Sequence, residues 1–124
     1  MNVLSMHALI GAYQPQGYEW LDELNEVIEG NIDYFCDYVD EHFEGVSYSR
    51  PQGTYMVFLD CTEWCREHGC DIQWLLDEGA RVGVGYQDGR PFHGPCHIRV
   101  NLALPLSRVR EACDRLDRYV FNAR

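Results

Sequence analysis

Between Tyr18 and Phe43 apolar residues return at helical spacing without a break, and no other stretch constrains the fold as strongly. Trp20, Leu21, Leu24, Val27, Ile28, Ile32, Phe35, Val39 and Phe43 follow the 3–4 rhythm of one long amphipathic helix. Glu19, Asp22, Glu23, Glu26, Glu29, Asp33, Asp37, Asp40, Glu41 and Glu44 fall in the same segment and read as its solvated face. Gly45 is placed to end it. An apolar stripe of that length needs a second layer to cover it, and 124 residues give one domain in which to build that layer.

The rest of the chain supplies it. Val46–Tyr48 reads as a short strand, Pro51-Gln52-Gly53 as a turn, and Thr54–Leu59 as a central strand apolar on both faces. A short helix is expected over Asp71–Asp77, ending near Gly79. Ala80–Tyr86 alternates Val82, Val84 and Tyr86 against Arg81, Gly83 and Gly85, which predicts a strand. Gln87–Pro95, with two glycines and two prolines, reads as a loop. Cys96–Leu104 alternates most cleanly: Ile98, Val100, Leu102 and Leu104 share one face, His97, Arg99, Asn101 and Ala103 the other. Pro105 ends that strand and Ser107 is a candidate N-cap. Val109, Ala112, Cys113, Leu116 and Val120 line one side of a closing helix. The order α-β-β-α-β-β-α predicts an α+β fold, with helices packed on a small, mostly antiparallel sheet.

Composition narrows function. With 20 acidic against 10 basic side chains the net charge is −10, a surface that repels phosphate backbones, so a nucleic-acid partner is not expected. No run approaches the roughly 18 apolar residues of a membrane span. Met1–Gln14 lacks the basic start and cleavage site of a signal peptide. Six cysteines without a secretion signal read as free thiols of a cytoplasmic protein. All ten basic residues are arginines. Without a lysine, this chain cannot itself form a Schiff base.

Several constellations compete for a functional role. Gly83-x-Gly85-x-x-x-Gly89 follows an expected strand but leads into a proline-containing loop, so no helix N-terminus is expected to hold a phosphate. Cys61, Cys65, His68 and Cys70 offer metal-ligating atoms, with His93, Cys96 or His97 as a second pair, yet not at zinc-knuckle spacing. A cysteine nucleophile with a histidine base has the residue types, and nothing places one pair together. Arg99 stands apart, since it lies opposite the apolar face of its strand and follows a Gly/Pro-rich loop. Its planar fork suits a carboxylate. Position alone leaves ligand-facing and solvent-facing readings equally open.

The ordered set of short motifs adds more. Asn2-Val3-Leu4, Ala8, Ala12-Tyr13, Gly17 and Glu19-Trp20-Leu21-Asp22-Glu23-Leu24 are followed by Glu29-Gly30-Asn31, Pro51-Gln52-Gly53-Thr54-Tyr55 and Leu59-Asp60. Gly79, Val82, Ile98-Arg99-Val100-Asn101 and Pro105 complete the set. Over nearly the full length this resembles the C-terminal small domain of class I/II pyridoxal-phosphate (PLP) aminotransferases, most of all the cystathionine β-lyase-like branch. The resemblance implies that Arg99, in an Arg-x-Asn strand motif, grips the substrate α-carboxylate. It implies residues 1–17 as a connecting segment from a missing N-terminal large domain, and 18–124 as the small domain. It also assigns the lysine, the phosphate site and the pyridinium aspartate to that large domain, leaving no catalytic group and no bound PLP here. The parent implied is a homodimeric amino-acid enzyme, either a carbon–sulfur β-lyase or an aminotransferase. Two departures bear on substrate choice: Ala103-Leu104-Pro105-Leu106 replaces Gly-Cys-Pro-Arg, and Gly85–Pro95 lacks a Ser-Pro-Gly start. The competing reading is a free-standing acidic α+β interaction domain, with or without a Cys/His metal site.

Overall fold

The computed structural model describes residues 2–122. Helix α1 (Val3–Ala12) leads into the long α2 (Pro15–His42). Strands β1 (Ser47–Tyr48) and β2 (Met56–Asp60) follow, then helices α3 (Thr62–His68) and α4 (Ile72–Arg81). Strand β3 (Gln87–Asp88), a 3₁₀ turn (Arg90–Phe92) and strand β4 (His97–Asn101) come next. Helix α5 (Leu106–Leu116) and a π-helical turn (Asp117–Phe121) close the chain.

Pro15 opens α2 at a first-turn position, where a missing N–H is harmless. The helix ends as expected, three residues before Gly45, whose φ of +82° favours glycine. A Cβ there would also press on the Trp64 backbone. The four strands run β1-β2-β4-β3, every pair antiparallel. Val57, Leu59, Ile98 and Val100 face the core, where they meet Ile32, Phe35 and Val39 of α2 and Val109, Cys113 and Leu116 of α5. Trp64 of α3 and Ile72 and Leu75 of α4 complete the same cluster. Each such side chain contributes roughly 1.5–3 kcal/mol by leaving water. The Asn31 amide, fully buried on α2, donates to the carbonyls of Leu102 and Leu104 just where β4 has ended. It pins the long helix to the sheet.

The α+β layering is as the sequence predicts, but two local expectations, the strand over Ala80–Tyr86 and the Ser107 N-cap, are corrected. Ala80–Tyr86 is not a strand: α4 runs to Arg81, and the third strand is only Gln87–Asp88. Asp71 caps α4 by accepting from the Trp74 amide, and Ile72, Leu75 and Gly79 are buried at helical spacing. The valine–glycine alternation that mimics a strand is the C-terminal turn of that helix, closed by Gly83 at φ +76°. Residues 62–68, to which the sequence reading assigns no element, form α3. Asp60 receives the Thr62 amide at its start, and Gly69 in the left-handed conformation ends it. Ser107 is not an N-cap, because α5 begins at Leu106 behind Pro105. Within the segment expected as a connection, Val3–Ala12 forms α1, with Asn2 accepting from the Ser5 amide, yet no α1 residue is buried.

Candidate functional site

Strand β4 has two unlike faces. Ile98 and Val100 vanish into the core, while His97 and Arg99 lie half-buried on the other side. Phe58 of β2 lies opposite Arg99 on one flank and Gln87 of β3 on the other, so Arg99 occupies the middle of the open sheet face. The Phe92 ring, on the 3₁₀ turn, lies 3.8 Å from the guanidinium carbon.

Most arginines of the chain are neutralised. Arg50 pairs with Asp33, Arg66 with Glu63, Arg81 with Glu78, Arg90 with Asp88, and Arg108 and Arg115 with Glu111. Among the described residues Arg99, Arg110 and Arg118 have aromatic contacts and no carboxylate. Arg110 and Arg118 sit on helical surface at 5.2 and 5.8 Å from their rings, a looser fit. Arg99 alone belongs to the sheet.

Of its neighbours on the same face, only Asn101 makes a side-chain hydrogen bond among the described residues. Asn101 Oδ1 accepts from the Ala103 amide at 2.8 Å and shapes the end of β4. His97 Nε2 lies 3.7 Å from Asp60 Oδ2 across the strand pair, and its Nδ1 is buried without a partner among the described residues. Burial raises the Asp60 pKa, but the hydroxyl and amide of Thr62, helped by His97, hold the carboxyl below its ordinary value.

The other candidates come together less completely. Cys70 donates its amide to the Cys65 carbonyl, the closing bond of α3, and Cys61 donates its amide to Cys96, so four cysteines share one corner. His68 is turned away, bonded through Nδ1 to the Trp64 carbonyl and stacked on its ring. Among the described residues no three His, Cys, Asp or Glu side chains converge as metal ligands. Burial raises the pKa of Cys61, Cys65 and Cys70, which makes them poor nucleophiles. Gly83, Gly85 and Gly89 lead into β3 and the 3₁₀ turn, with no α-helix N-terminus to face a phosphate.

The outward placement of Arg99 was legible from the alternation of β4. Phe92 was not, because only the folded 89–94 loop brings it to Arg99.

An antiparallel four-stranded sheet backed by helices on one face is the architecture this chain shares with PLP-dependent transferase-fold structures. The chain belongs to the class I and II aminotransferase family, whose description matches residues 4–116. A provisionally named cystathionine β-lyase of Mycobacterium leprae is 35% identical, over 87% of this chain and 30% of that protein. The PLP-bound structure of a provisionally assigned aminotransferase from Clostridium difficile superposes with TM-score 0.83 at 28% identity, covering 94% of this chain and 30% of that one. A PLP-bound C–S lyase from Staphylococcus hominis gives TM-score 0.85 at 22% identity over 98% and 32% of the two chains, which bears on fold alone. The chain thus spans less than a third of the length of these relatives.

Proposed function

We propose that this chain is the substrate-carboxylate-binding small domain of a PLP-dependent enzyme acting on amino acids, a C–S β-lyase or an aminotransferase, with Arg99 as the carboxylate ligand. The observation that carries the reading is the uncommitted guanidinium of Arg99 at the centre of the open sheet face. Two parallel, charge-assisted hydrogen bonds from that fork would orient an amino acid by its carboxylate. The chain has no lysine, so its own residues do not fit a covalently held PLP; that anchor belongs to a part of the parent outside it. On this reading residues 18–124 form the domain, 1–17 lead into it from a large domain, and the parent is a cytoplasmic homodimer. Among the described residues no helix is long and apolar enough to cross a membrane, which is compatible with that location.

The test uses the parent enzyme. Removing one partner of a buried charge pair costs roughly 2–5 kcal/mol, so Arg99→Ala should lower kcat/KM by roughly 30-fold to several thousand-fold. Arg99→Lys should recover only part, since it keeps the charge and loses the fork. The control is Arg81→Ala, which removes a side chain that pairs with Glu78 on α4. Equal losses at the two positions would overturn the assignment. This chain alone, incubated with PLP and dialysed, should retain no visible absorption.

A further inference from the structure

The contact between Phe92 and Arg99 is the closest cation–π pair among the described residues, and it leaves Phe92 nearly half exposed, at 48%. A core aromatic would not be left so open. We propose that Phe92 is a positioning residue for Arg99: it covers one face of the guanidinium and leaves the in-plane N–H fork free for a carboxylate. The inference rests on the carboxylate reading of Arg99 given above.

The physical case is one of geometry. A guanidinium has a flat face and a donor-bearing edge, and the two can be used independently. A ring stacked on the face attracts the cation through its quadrupole and consumes none of the five N–H donors. A neighbouring aspartate or glutamate would fix the arginine equally well, but it would occupy the edge and compete with the ligand. Six other arginines, Arg50, Arg66, Arg81, Arg90, Arg108 and Arg115, are held in that second way, by Asp33, Glu63, Glu78, Asp88 and Glu111. Arg99 is held in the first.

The turn that presents Phe92 is rigidly tied. The Phe92 amide donates to Gly89 at 2.8 Å, the Gly94 amide to Gly89 at 3.1 Å, and the Gly89 amide to His97 of β4 at 2.9 Å. A Cβ on Gly89 would lie 2.4 Å from that His97 oxygen, so only glycine allows the turn to seat so closely. Arg90 is anchored twice, to the Asp88 carboxylate and to Gln73 Oε1 of α4 at 3.0 Å. The ring is therefore held by β3, β4 and α4 together, and it can fix the guanidinium without itself needing burial.

The experiment is an NMR titration of this chain with sodium acetate against sodium chloride at constant ionic strength, read at the Arg99 side-chain Nε–Hε resonance. In the native chain that resonance should be displaced by the Phe92 ring current, and acetate should shift it. Phe92→Tyr should keep both effects. Phe92→Leu, with an unchanged backbone amide spectrum as the check on folding, should lose the ring-current displacement and weaken acetate binding by roughly 2- to 30-fold, the range for a cation–π contact. If acetate shifts Arg99 equally in the native chain and in Phe92→Leu, the positioning role is wrong and the carboxylate site stands. If acetate leaves Arg99 unmoved in the native chain and in Phe92→Tyr, the carboxylate reading falls and takes this inference with it.

Discussion

The two halves of α2 have similar apolar rhythm and opposite fates. Ile32, Phe35, Cys36 and Val39 are buried against the sheet and α5. Trp20, Leu21 and Val27 project into solvent, as do Val3, Leu4, Leu9 and Ile10 of α1. Helix α1 carries no acidic residue in its first turn and no basic residue in its last, and none of its side chains is buried. A helix apolar on most sides is ordinarily covered by other protein. An apolar stripe shows that a surface seeks a partner; whether that partner lies in the same chain is decided by the rest of the sequence. Here the sheet and α5 serve the second half alone, and the boundary falls at Asn31.

The largest expected effect lies in the covered half. Phe35→Ala should destabilise the fold by roughly 3–5 kcal/mol, read as a shifted urea midpoint, because the ring is wholly buried and the cavity cannot collapse fully. A loss under about 1 kcal/mol would mean that this half packs no better than the first.

Cys36 reports the same contrast without changing volume. Burial raises its thiol pKa, and the residue is 1% exposed, so little thiolate meets solvent in the folded state. Iodoacetamide should label it roughly 100-fold more slowly in the native chain than in urea, as for a group exposed only by opening. Native-state labelling at the urea rate would show that the second half of α2 frays.

Asn31 marks the border itself. Asn31→Ala leaves the Leu102 and Leu104 carbonyls without their shared donor, which should cost roughly 1–3 kcal/mol in thermal or urea unfolding. A neutral outcome would mean that water reaches those carbonyls and that the helix is not pinned there.

What could be read ahead of the structure follows the same physics. The periods of α2 and β4 are strict, so one helix and one strand, with Arg99 facing away from the core, were visible in the residue order. Where two periods overlap, reading fails. Val82-Gly83-Val84 alternates like a strand, but Ile72, Leu75 and Gly79 carry a helix through Arg81, and Val82–Val84 form the turn that closes it. Helix α3 carried its own marks, Asp60 before and Gly69 after, in a segment too polar at first glance to suggest one. The pairing of Phe92 with Arg99 was not legible at all, because it depends on a turn closed by hydrogen bonds to β4, a non-local feature without a local signature.

The smallest effect on stability should come from the bare half, and it discriminates most. Trp20 and Leu21 are 62% and 45% exposed, so replacing both by serine removes little packing. Away from buried contacts, surface changes usually stay within about 0.5 kcal/mol per site. Their expected influence lies elsewhere. An apolar patch left on α1 and the start of α2 is a surface for self-association, and its attraction scales with the area two copies can hide from water. Sedimentation of the native chain should therefore show dimers or higher species growing with concentration, and the Trp20→Ser, Leu21→Ser pair should shift that equilibrium toward monomer with the urea midpoint unchanged. If the native chain stays strictly monomeric at high concentration, the patch is too small or too broken by Glu19, Asp22 and Glu23 to hold a partner. If the double substitution instead unfolds the chain, Trp20 and Leu21 support the fold after all, and the two halves of α2 are not as different as their exposure indicates.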